Sequence, residues 1–241
     1  MKAFSRVENL IGKESLNILQ TSSVVLFGIG GVGGFVAEAL VRSGIGEIAV
    51  FDSDVVDETN INRQLIATVD TIGKDKVEVI KQRLLSINPN LKIETYKVFY
   101  LPENASQFDL SKYDYIIDAV DTVSAKIEII SRAKVLGKKV ISCMGTGGKL
   151  QIESLKVADI SKTDGCPLAR VMRRELKKRN ICNVKVVYSQ EGVKNNSQSV
   201  ENEKNVPPSM IFVPATAGLY IAREVVLDII NTKREKNLWK L

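Results

Sequence analysis

A glycine-rich turn near the N-terminus, Gly28-Ile29-Gly30-Gly31-Val32-Gly33, most constrains how this chain can fold. It follows an apolar run and precedes a helical pattern. Glycines allow a tight turn and let the backbone approach a phosphate, and the N-terminus of the next helix attracts anions. Asp52 ends the second apolar run, about 20 residues further on, where a carboxylate can accept hydrogen bonds from ribose hydroxyls. This order of features predicts nucleotide binding rather than a purely structural turn.

The first two thirds of the 241-residue chain alternate short apolar runs with helical patterns. Such alternation is typical of a parallel sheet with helices on its faces. It predicts the α/β class: a Rossmann-like fold with a mainly parallel central sheet, extended by antiparallel strands and C-terminal helices. The predicted strands are Ser23–Gly28, Glu47–Asp52, Leu91–Phe99, Tyr113–Val120 and Lys138–Met144, and the predicted helices are Gly33–Ser43, Lys74–Asn88 and Thr122–Leu136.

The pattern changes beyond residue 148. The later part is too short to bury its own core, so we predict a single domain over 1–241, with a nucleotide-binding core at 1–148 and an extension at 149–241. The polar stretch Ser189–Pro208 is typical of a surface loop. The other predicted elements are a strand at Lys149–Val157, a helix at about Pro167–Arg179, a strand at Val184–Tyr188 and a final helix from about Pro214 to Asn231.

Composition limits the chemistry that is open to this chain. It contains no histidine, which excludes a Ser-His-Asp triad, a histidine general base and a histidine-ligated metal. Its three cysteines, Cys143, Cys166 and Cys182, are widely spaced and odd in number. That pattern fits neither a disulfide framework nor a paired-cysteine zinc site, so no zinc is expected.

The charged residues after Asp52 distinguish between kinds of nucleotide. A long polar loop brings Arg63 just beyond the ribose position, and Lys76 follows near the start of the next helix. NAD is the default ligand of the glycine turn alone, but it has only a pyrophosphate bridge and needs no such cations. A triphosphate that is being split needs cations on its β- and γ-phosphates. Arg63 and Lys76 therefore favour a triphosphate.

Two acidic residues, Asp118 and Asp121, end the fourth predicted strand. They lie at the edge of the sheet where open α/β folds bind ligands. A carboxylate at this edge can hold Mg²⁺ against phosphates. The alternative is that Asp121 only caps the helix that begins at Thr122.

Four segments, GIGGVG, FDSDVVDETNINRQ, GKDKVE and DAVD, resemble in order and spacing the adenylating domain of the ubiquitin-activating-enzyme superfamily. Members of that superfamily make acyl adenylates, in which a carboxylate attacks the α-phosphate of ATP and pyrophosphate leaves. The resemblance implies a homodimer in which Arg6 reaches into the ATP site of the neighbouring subunit. It implies that Asp121 binds Mg²⁺ and acts in catalysis with Arg63 and Lys76. The ATP contacts that it implies, besides Arg6, are Gly28, Gly30, Gly31, Gly33, Asp52, Asp54, Asn60, Arg63, Gln64 and Lys76.

Two later segments narrow the resemblance. ADISKTDGCPLARVMRRELKK and FVPATAGLYIAREVVLDI are similar to one branch of that superfamily, the tRNA threonylcarbamoyladenosine dehydratases. This similarity implies ATP-dependent cyclisation of the threonylcarbamoyl group on an adenosine beside the tRNA anticodon, with net loss of water. The alternative is an enzyme that adenylates a ubiquitin-like sulfur-carrier protein, but such enzymes usually have two CxxC zinc pairs, which this sequence lacks. A non-catalytic RNA-binding protein is the third reading.

The predicted helix after Pro167 carries a row of cations. They are spaced so that they share one face of the helix, opposite Leu168, Met172 and Leu176. Like charges in such a row repel one another by a few tenths of a kcal/mol per pair, unless an anion meets them. We therefore predict that this face binds the tRNA backbone, against the alternative of a solvated surface. The residues in the row are Arg170, Arg173, Arg174, Lys177 and Lys178.

The sequence favours a soluble, cytoplasmic protein. The N-terminal residues are interrupted by charges and do not form a signal peptide. The apolar stretch Met210–Ile230 contains Arg223, Glu224 and Asp228, so a helix packed on the protein is favoured over a membrane span. The sequence identifies no sulfur-transfer partner.

The cysteines have two possible roles. Cys143 ends an apolar strand and is predicted to lie in the core. Cys166 precedes the basic helix, an electropositive setting that lowers the pKa of a thiol, so it is a candidate nucleophile. The implied reaction needs no enzyme thiol, because a nitrogen or oxygen of the substrate can attack the activated carbonyl.

Overall fold

The structure is a computed structural model that describes residues 2–192 and 208–238, with side chains up to residue 234. Most of the predicted polar loop, residues 193–207, lies outside the described residues. The strands are β1 Ser23–Phe27, β2 Glu47–Phe51, β3 Lys92–Tyr96, β4 Tyr115–Asp118, β5 Lys139–Cys143, β6 Leu155–Asp159 and β7 Lys185–Ser189. The α-helices are α1 Ser5–Ile11, α2 Lys13–Gln20, α3 Gly33–Arg42, α4 Lys76–Ile87, α5 Val123–Val135, α6 Pro167–Lys178 and α7 Phe212–Leu238.

The seven strands form one sheet in the order β3-β2-β1-β4-β5-β7-β6. All neighbouring pairs are parallel except β6 and β7, which are antiparallel. The predicted α/β class with a mainly parallel sheet is therefore confirmed. The antiparallel extension consists of the edge strand β6, because β7 pairs in parallel with β5. The division of the chain into a core at 1–148 and an extension at 149–241 stays a prediction.

Apolar side chains cover both faces of the sheet. One face packs against α2, α3, α4 and α7, where residues such as Leu40, Ile80 and Ile221 are fully buried. The other face packs against α5 and α6, where Ile129 and Met172 are fully buried. Strands that are buried on both faces read as continuous apolar runs, which explains why the alternation of strands and helices was visible in the sequence.

Helix α7 packs against both the glycine turn and the far side of the sheet. A side chain at Gly218 would meet Val32 O at 2.6 Å, so α7 lies directly on the start of α3. Pro214, in the first turn of α7, lies beside Gly31. Further along α7, Asp228 accepts hydrogen bonds from Tyr115 Oη at 2.7 Å and Lys185 Nζ at 2.8 Å. No helix in the described parts of the chain has the length and apolarity needed to cross a membrane.

Several predicted boundaries are wrong. The strand predicted at Lys149–Val157 begins only at Leu155, because side chains hold the preceding segment: Lys149 Nζ donates to Ser189 O at 3.0 Å. β3 and β4 are shorter than predicted, and α7 is longer, from Phe212 to Leu238. The two N-terminal helices, α1 and α2, were not predicted. Their charged residues hid a short apolar face, of which Leu16 and Leu19 are buried.

The chain reverses its direction across the sheet between β1 and β4. From β1 it proceeds to β2 and β3 on one side, and afterwards to β4, β5 and β7 on the other. Loops diverge at such a switch point, and open α/β sheets bind ligands there, at the carboxyl ends of the strands. The strand ends are level, since Phe27 pairs with Phe51 and with Asp118. The residues that follow β1, β2 and β4 therefore meet at one edge.

Candidate active site

A cleft of about 980 Å³ opens at this edge of the sheet. Residues that follow β1, β2, β3, β4 and β5 line it, together with the first residues of α6 and α7. The predicted site residues that it brings together are Gly28, Gly30, Gly31, Asp52, Asp54, Asn60, Arg63, Gln64, Lys76 and Asp121. Gly33 and Arg6, also predicted, do not line the cleft.

The glycines of the turn have different roles. Gly28 has φ +89°, and a side chain there would meet Ala119 O at 2.7 Å. A side chain at Gly33 would lie 1.8 Å from Gly28 O, so Gly33 closes the turn instead of facing the cleft. Nothing lies within 4 Å of the position that a side chain at Gly30 would occupy. Gly30 therefore leaves space through which a phosphate can approach the backbone.

Asp52 is held in place by backbone donors. Its Oδ2 accepts a hydrogen bond from Ile29 N at 2.6 Å, and its Oδ1 accepts one from Asp54 N at 2.9 Å. Burial raises the pKa of the Asp52 carboxyl, and the nearby charge of Lys76 partly opposes this shift. Each carboxylate oxygen can accept a further bond. The side chain is thus held at the cleft with acceptor capacity to spare, and its contact with ribose stays a prediction.

The loop after Asp52 folds on itself. Asp57 accepts a hydrogen bond from Thr59 N at 2.8 Å, and Asn60 Oδ1 accepts one from Asp57 N at 3.2 Å. These reciprocal bonds form a capping box at the start of a short 3-10 helix. Asn60 thereby has a local structural role that the sequence reading did not include. Gln64 is buried, and its Oε1 has no hydrogen-bond partner among the described residues. Such an unpaired polar atom beside the cleft suits a ligand with a donor group.

Arg63 and Lys76 bring two cations to the cleft. The Arg63 Nη1 donates to Thr59 O at 2.8 Å and to Asn62 Oδ1 at 2.9 Å. Lys76 is the first residue of α4 and is buried, and its Nζ lies 2.8 Å from Asp54 Oδ2. Both acceptors of Arg63 are neutral, and Asp54, the partner of Lys76, is exposed. Both cations therefore remain available to an anion in the cleft.

The two acidic residues after β4 differ in environment. Asp121 is exposed at the cleft and accepts a bond from Thr122 Oγ1 at 3.3 Å. The alternative that it caps α5 is wrong, because Thr122 is the N-cap residue and no side chain bonds the helix end. Asp118, by contrast, is fully buried and pairs with Lys126 Nζ at 3.0 Å. Asp118 is therefore not available as a metal ligand at the cleft.

Within the described residues, no group of three or more His, Cys, Asp or Glu side chains lies together as a metal site. The prediction that Asp121 binds Mg²⁺ thus rests on one protein carboxylate. A magnesium ion usually keeps several waters and is shared between one or two carboxylates and the phosphates of a substrate. A single carboxylate beside a phosphate site is compatible with that pattern.

The three cysteines are free thiols. Cys143 lines the cleft but is buried, as predicted, and burial raises the pKa of its thiol to about 12. Cys166 is also buried, just before α6, and does not line the cleft. Cys182 is exposed. The candidate nucleophile Cys166 therefore has no direct access to the cleft.

Helix α6 carries the predicted basic face opposite a buried one. Ala169, Met172 and Leu176 are buried. Arg173 is engaged within the protein, where its Nη1 donates to Thr163 O and Thr163 Oγ1. Arg170, in contrast, is exposed and forms no ion pair with any described residue.

An anion missed by the sequence reading lies within this row of cations. Glu175 pairs with Lys178 at 2.9 Å, with Arg179 at 3.0 Å and with Arg174 at 3.3 Å. Hydrogen bonds from Lys178 and Arg179 lower the pKa of Glu175 to about 2. The expected repulsion is thus partly relieved inside the helix, so it gives less support to an external anion than the sequence suggested.

Arg6 is exposed on α1 and lies outside the cleft of its own chain. Its role in the site of another subunit stays a prediction. The sequence reading missed other cleft residues, such as Phe99, Thr146 and Leu168. No motif marks them, because their only common feature is that they follow a strand or begin a helix at this edge.

The fold and the cleft define a doubly wound nucleotide-binding protein, and comparison with known proteins gives its family. The model of the ThiF family matches residues 4–241, so the chain belongs to the ThiF family. It is 41% identical to the tRNA threonylcarbamoyladenosine dehydratase of Bacillus subtilis, over 97% of this chain and 98% of that protein.

Solved structures give the same result. The crystal structure of the Escherichia coli tRNA N6-threonylcarbamoyladenosine dehydratase in complex with ATP matches with a TM-score of 0.89 and 29% identity, over 97% of this chain and 96% of that one. The same enzyme in complex with AMP matches equally well. The resemblance drawn from the sequence motifs is confirmed at the level of the family.

Proposed function

We propose that the protein is an ATP-dependent tRNA threonylcarbamoyladenosine dehydratase. It cyclises the threonylcarbamoyl group on an adenosine beside the anticodon, with net loss of water. The observation that carries this proposal is that Asp52, Arg63 and Lys76 converge with the glycine turn in one cleft, in a chain that is similar to the Bacillus subtilis dehydratase over nearly its full length.

The residues of the cleft fit ATP. The open space at Gly30 admits a phosphate to the backbone at the start of α3. Asp52 accepts the ribose hydroxyls, and the unpaired Gln64 Oε1 provides a further acceptor. Gly28 and Gly33 shape the turn, and the cleft around it is lined by Gly31, Asp54 and Asn60. When bound, ATP supplies the activation of the threonyl carboxylate.

The chain's own residues hold and stabilise charge during that activation. Arg63 and Lys76 stabilise the negative charge that develops on the leaving pyrophosphate, since fixed cations aimed at developing charge stabilise a transition state. Asp121 would hold Mg²⁺, which would neutralise charge on the phosphates when bound. Cys143 lines the cleft, but its thiol is buried and has a raised pKa, which supports attack by a group of the substrate itself.

The substrate tRNA is held by the basic face of α6. Arg170 and Lys177 are its exposed cations without an internal ion pair in the described structure, and Arg174 and Lys178 share Glu175. Contacts of this kind neutralise phosphates without reading sequence. A homodimer, in which Arg6 of each chain reaches the cleft of the other, and a cytoplasmic location complete the proposal.

The test is to incubate the purified protein with ATP, Mg²⁺ and tRNA that carries the linear threonylcarbamoyl group. The tRNA is then digested and its nucleosides are weighed. A product lighter by one water that forms only with ATP is the expected result. An unchanged nucleoside, together with pyrophosphate exchange that depends on a sulfur-carrier protein, would replace this proposal by the alternative activity.

A further inference from the structure

The cleft extends beyond the residues that are proposed to bind the nucleotide. It crosses the ends of five neighbouring strands, from β3 to β5. Neighbouring strands lie about 4.8 Å apart, so these four intervals span about 19 Å. The nucleotide residues follow β1 and β2, and Asp121 follows β4. The ends of β3 and β5 are therefore left without an assigned ligand. The lining residues after β3 include the charged Lys97, whereas those after β5 are all uncharged.

The volume also leaves room for a second group. At about 980 Å³, the cleft is at the upper end of the range of about 300–1,000 Å³ that is usual for small-molecule pockets. The part of the cleft beside β5, which we call the β5 side, consists of Cys143, Met144, Gly145, Thr146, Gly147 and Leu168.

The β5 side differs in chemistry from the rest of the cleft. None of its residues is charged, whereas Asp52, Arg63 and Lys76 line the opposite part. Met144 and Leu168 offer apolar surface, and Thr146 offers a hydroxyl. Such a surface suits a neutral heterocyclic ring with a few polar atoms, and a carboxylate attached to that ring would face the cations instead.

Helix α6 connects the β5 side to the basic face. Leu168, in its first turn, lines the cleft, and Arg170 is exposed to solvent. Two residues along an α-helix are about 3 Å apart along the axis and point in nearly opposite directions. The basic face therefore starts within one helical turn of the cleft, so a nucleotide chain bound along α6 passes close to the β5 side.

We propose that the β5 side is the pocket for the modified adenine base of the substrate, turned out of the anticodon loop of the tRNA. This proposal rests on the function proposed above. Proteins bind unstacked bases of single-stranded RNA loops, and enzymes that act on a base take it out of the stack. The ring lies against Met144 and Leu168, and the threonyl carboxylate points along the cleft towards Arg63 and Lys76.

The test fills the β5 side without touching the nucleotide residues. In Leu168→Trp the indole ring, which is larger than the leucine side chain, occupies the space proposed for the base. The matched control is Val171→Trp, on the same helix but outside the cleft. Thr146→Phe is a second filling variant, in a loop, for the case that Leu168→Trp does not fold. Thermal unfolding, the Kd for a non-hydrolysable ATP analogue and dehydration of the modified tRNA are measured for each variant.

We expect the filling variants to bind the ATP analogue as wild type does and to lose at least about 100-fold in dehydration, since small misplacements of a substrate already have effects of that size. Val171→Trp keeps wild-type turnover. If the wild type is active and the folded variants Leu168→Trp and Thr146→Phe turn over normally, the proposed base pocket is wrong and the proposed function stands. Weaker binding of the ATP analogue by both variants overturns the base pocket too, because the β5 side then belongs to the nucleotide. A wild-type protein that leaves the modified tRNA unchanged overturns the proposed function itself.

Discussion

Lys126 and Asp118 form an ion pair beneath the cleft, in which both side chains are fully buried and Nζ lies 3.0 Å from Oδ2. Ser142 Oγ donates to the same carboxylate. Lys126 Nζ also donates to Val120 O at 2.8 Å, and Asp118 Oδ1 accepts from Val120 N at 3.2 Å. Two buried charges thus fix the backbone of Val120, directly before Asp121 at the cleft.

Lys126→Met should strongly destabilise the fold, because it leaves the Asp118 charge in the interior without a partner. Removing one member of a buried pair typically costs about 3–5 kcal/mol. The double variant Lys126→Met/Asp118→Asn removes both charges and should lose less. Urea unfolding measures the free energy of each protein. A single variant as stable as wild type would show that the pair is dispensable.

Arg63→Ala should keep the fold and lose turnover by about 10²–10³, the usual effect of removing one donor that stabilises developing charge. The fold is retained because the guanidinium bonds only to Thr59 O and Asn62 Oδ1 among the described residues. Lys74→Ala, an exposed lysine outside the cleft, is the control. Steady-state dehydration of modified tRNA is the measurement, and a near-wild-type rate would remove Arg63 from the phosphate site.

Gly30→Ala and Gly33→Ala should have different effects. A side chain at Gly33 meets Gly28 O at 1.8 Å, so this variant should unfold at a lower temperature than wild type. Gly30 has open space, so its alanine variant should melt normally but bind ATP more weakly, since the methyl group occupies the approach of the phosphate. Calorimetry of unfolding and of ATP binding separates the two. Normal ATP affinity in Gly30→Ala would contradict the assignment.

Charge reversal on α6 should weaken tRNA binding and leave ATP binding unchanged. Arg170→Glu/Lys177→Glu is preferable to any variant of Arg173, because Arg173 bonds Thr163 and supports the fold. The dependence of tRNA affinity on salt should fall by about one unit of slope per lost phosphate contact. The exposed pair Lys74→Glu/Lys92→Glu matches the charge change elsewhere on the surface. Equal tRNA affinity in the two double variants would mean that α6 is a solvated face.

Thiol labelling should distinguish the cysteines. The thiolate is the reactive form, and Cys143 and Cys166 are buried whereas Cys182 is exposed. In the native protein at about pH 8, one thiol per chain should therefore react rapidly, and Cys182→Ser should abolish that phase.

Cys166→Ala should retain turnover. A stable Cys166→Ala protein without activity would show that this thiol takes part in the reaction.

The parts of the site that the sequence predicted are those whose chemistry requires particular residues at particular spacings. A glycine turn between a strand and a helix leaves few conformations open. Asp52, Arg63 and Lys76 follow this turn between the end of β2 and the start of α4. All of them line the cleft. The parallel strands were equally visible, because burial on both faces leaves continuous apolar runs.

The remaining features depend on contacts between distant residues. The start of β6 is set by Lys149 and by Glu191, whose Oε2 accepts from Leu150 N and Gln151 N at 2.8 Å. The pairing of Lys126 with Asp118 makes the first of the two acids after β4 a buried structural group and leaves Asp121 alone at the cleft. The β5 side has no charged or glycine-plus-acid pattern to mark it. Only the order of the strands brings Thr146 and Leu168 into the same cleft as Asp52.

The packing of α7 on the glycine turn has a consequence for how the protein is made. Pro214 and Gly218 pack on Gly31 and Val32, so part of the tertiary support of the turn comes from a helix about 180 residues further along the chain. A ribosome makes about 5–20 residues per second. The nascent turn therefore lacks that part of its support for many seconds, and nucleotide should protect it from proteolysis more strongly after α7 has been made.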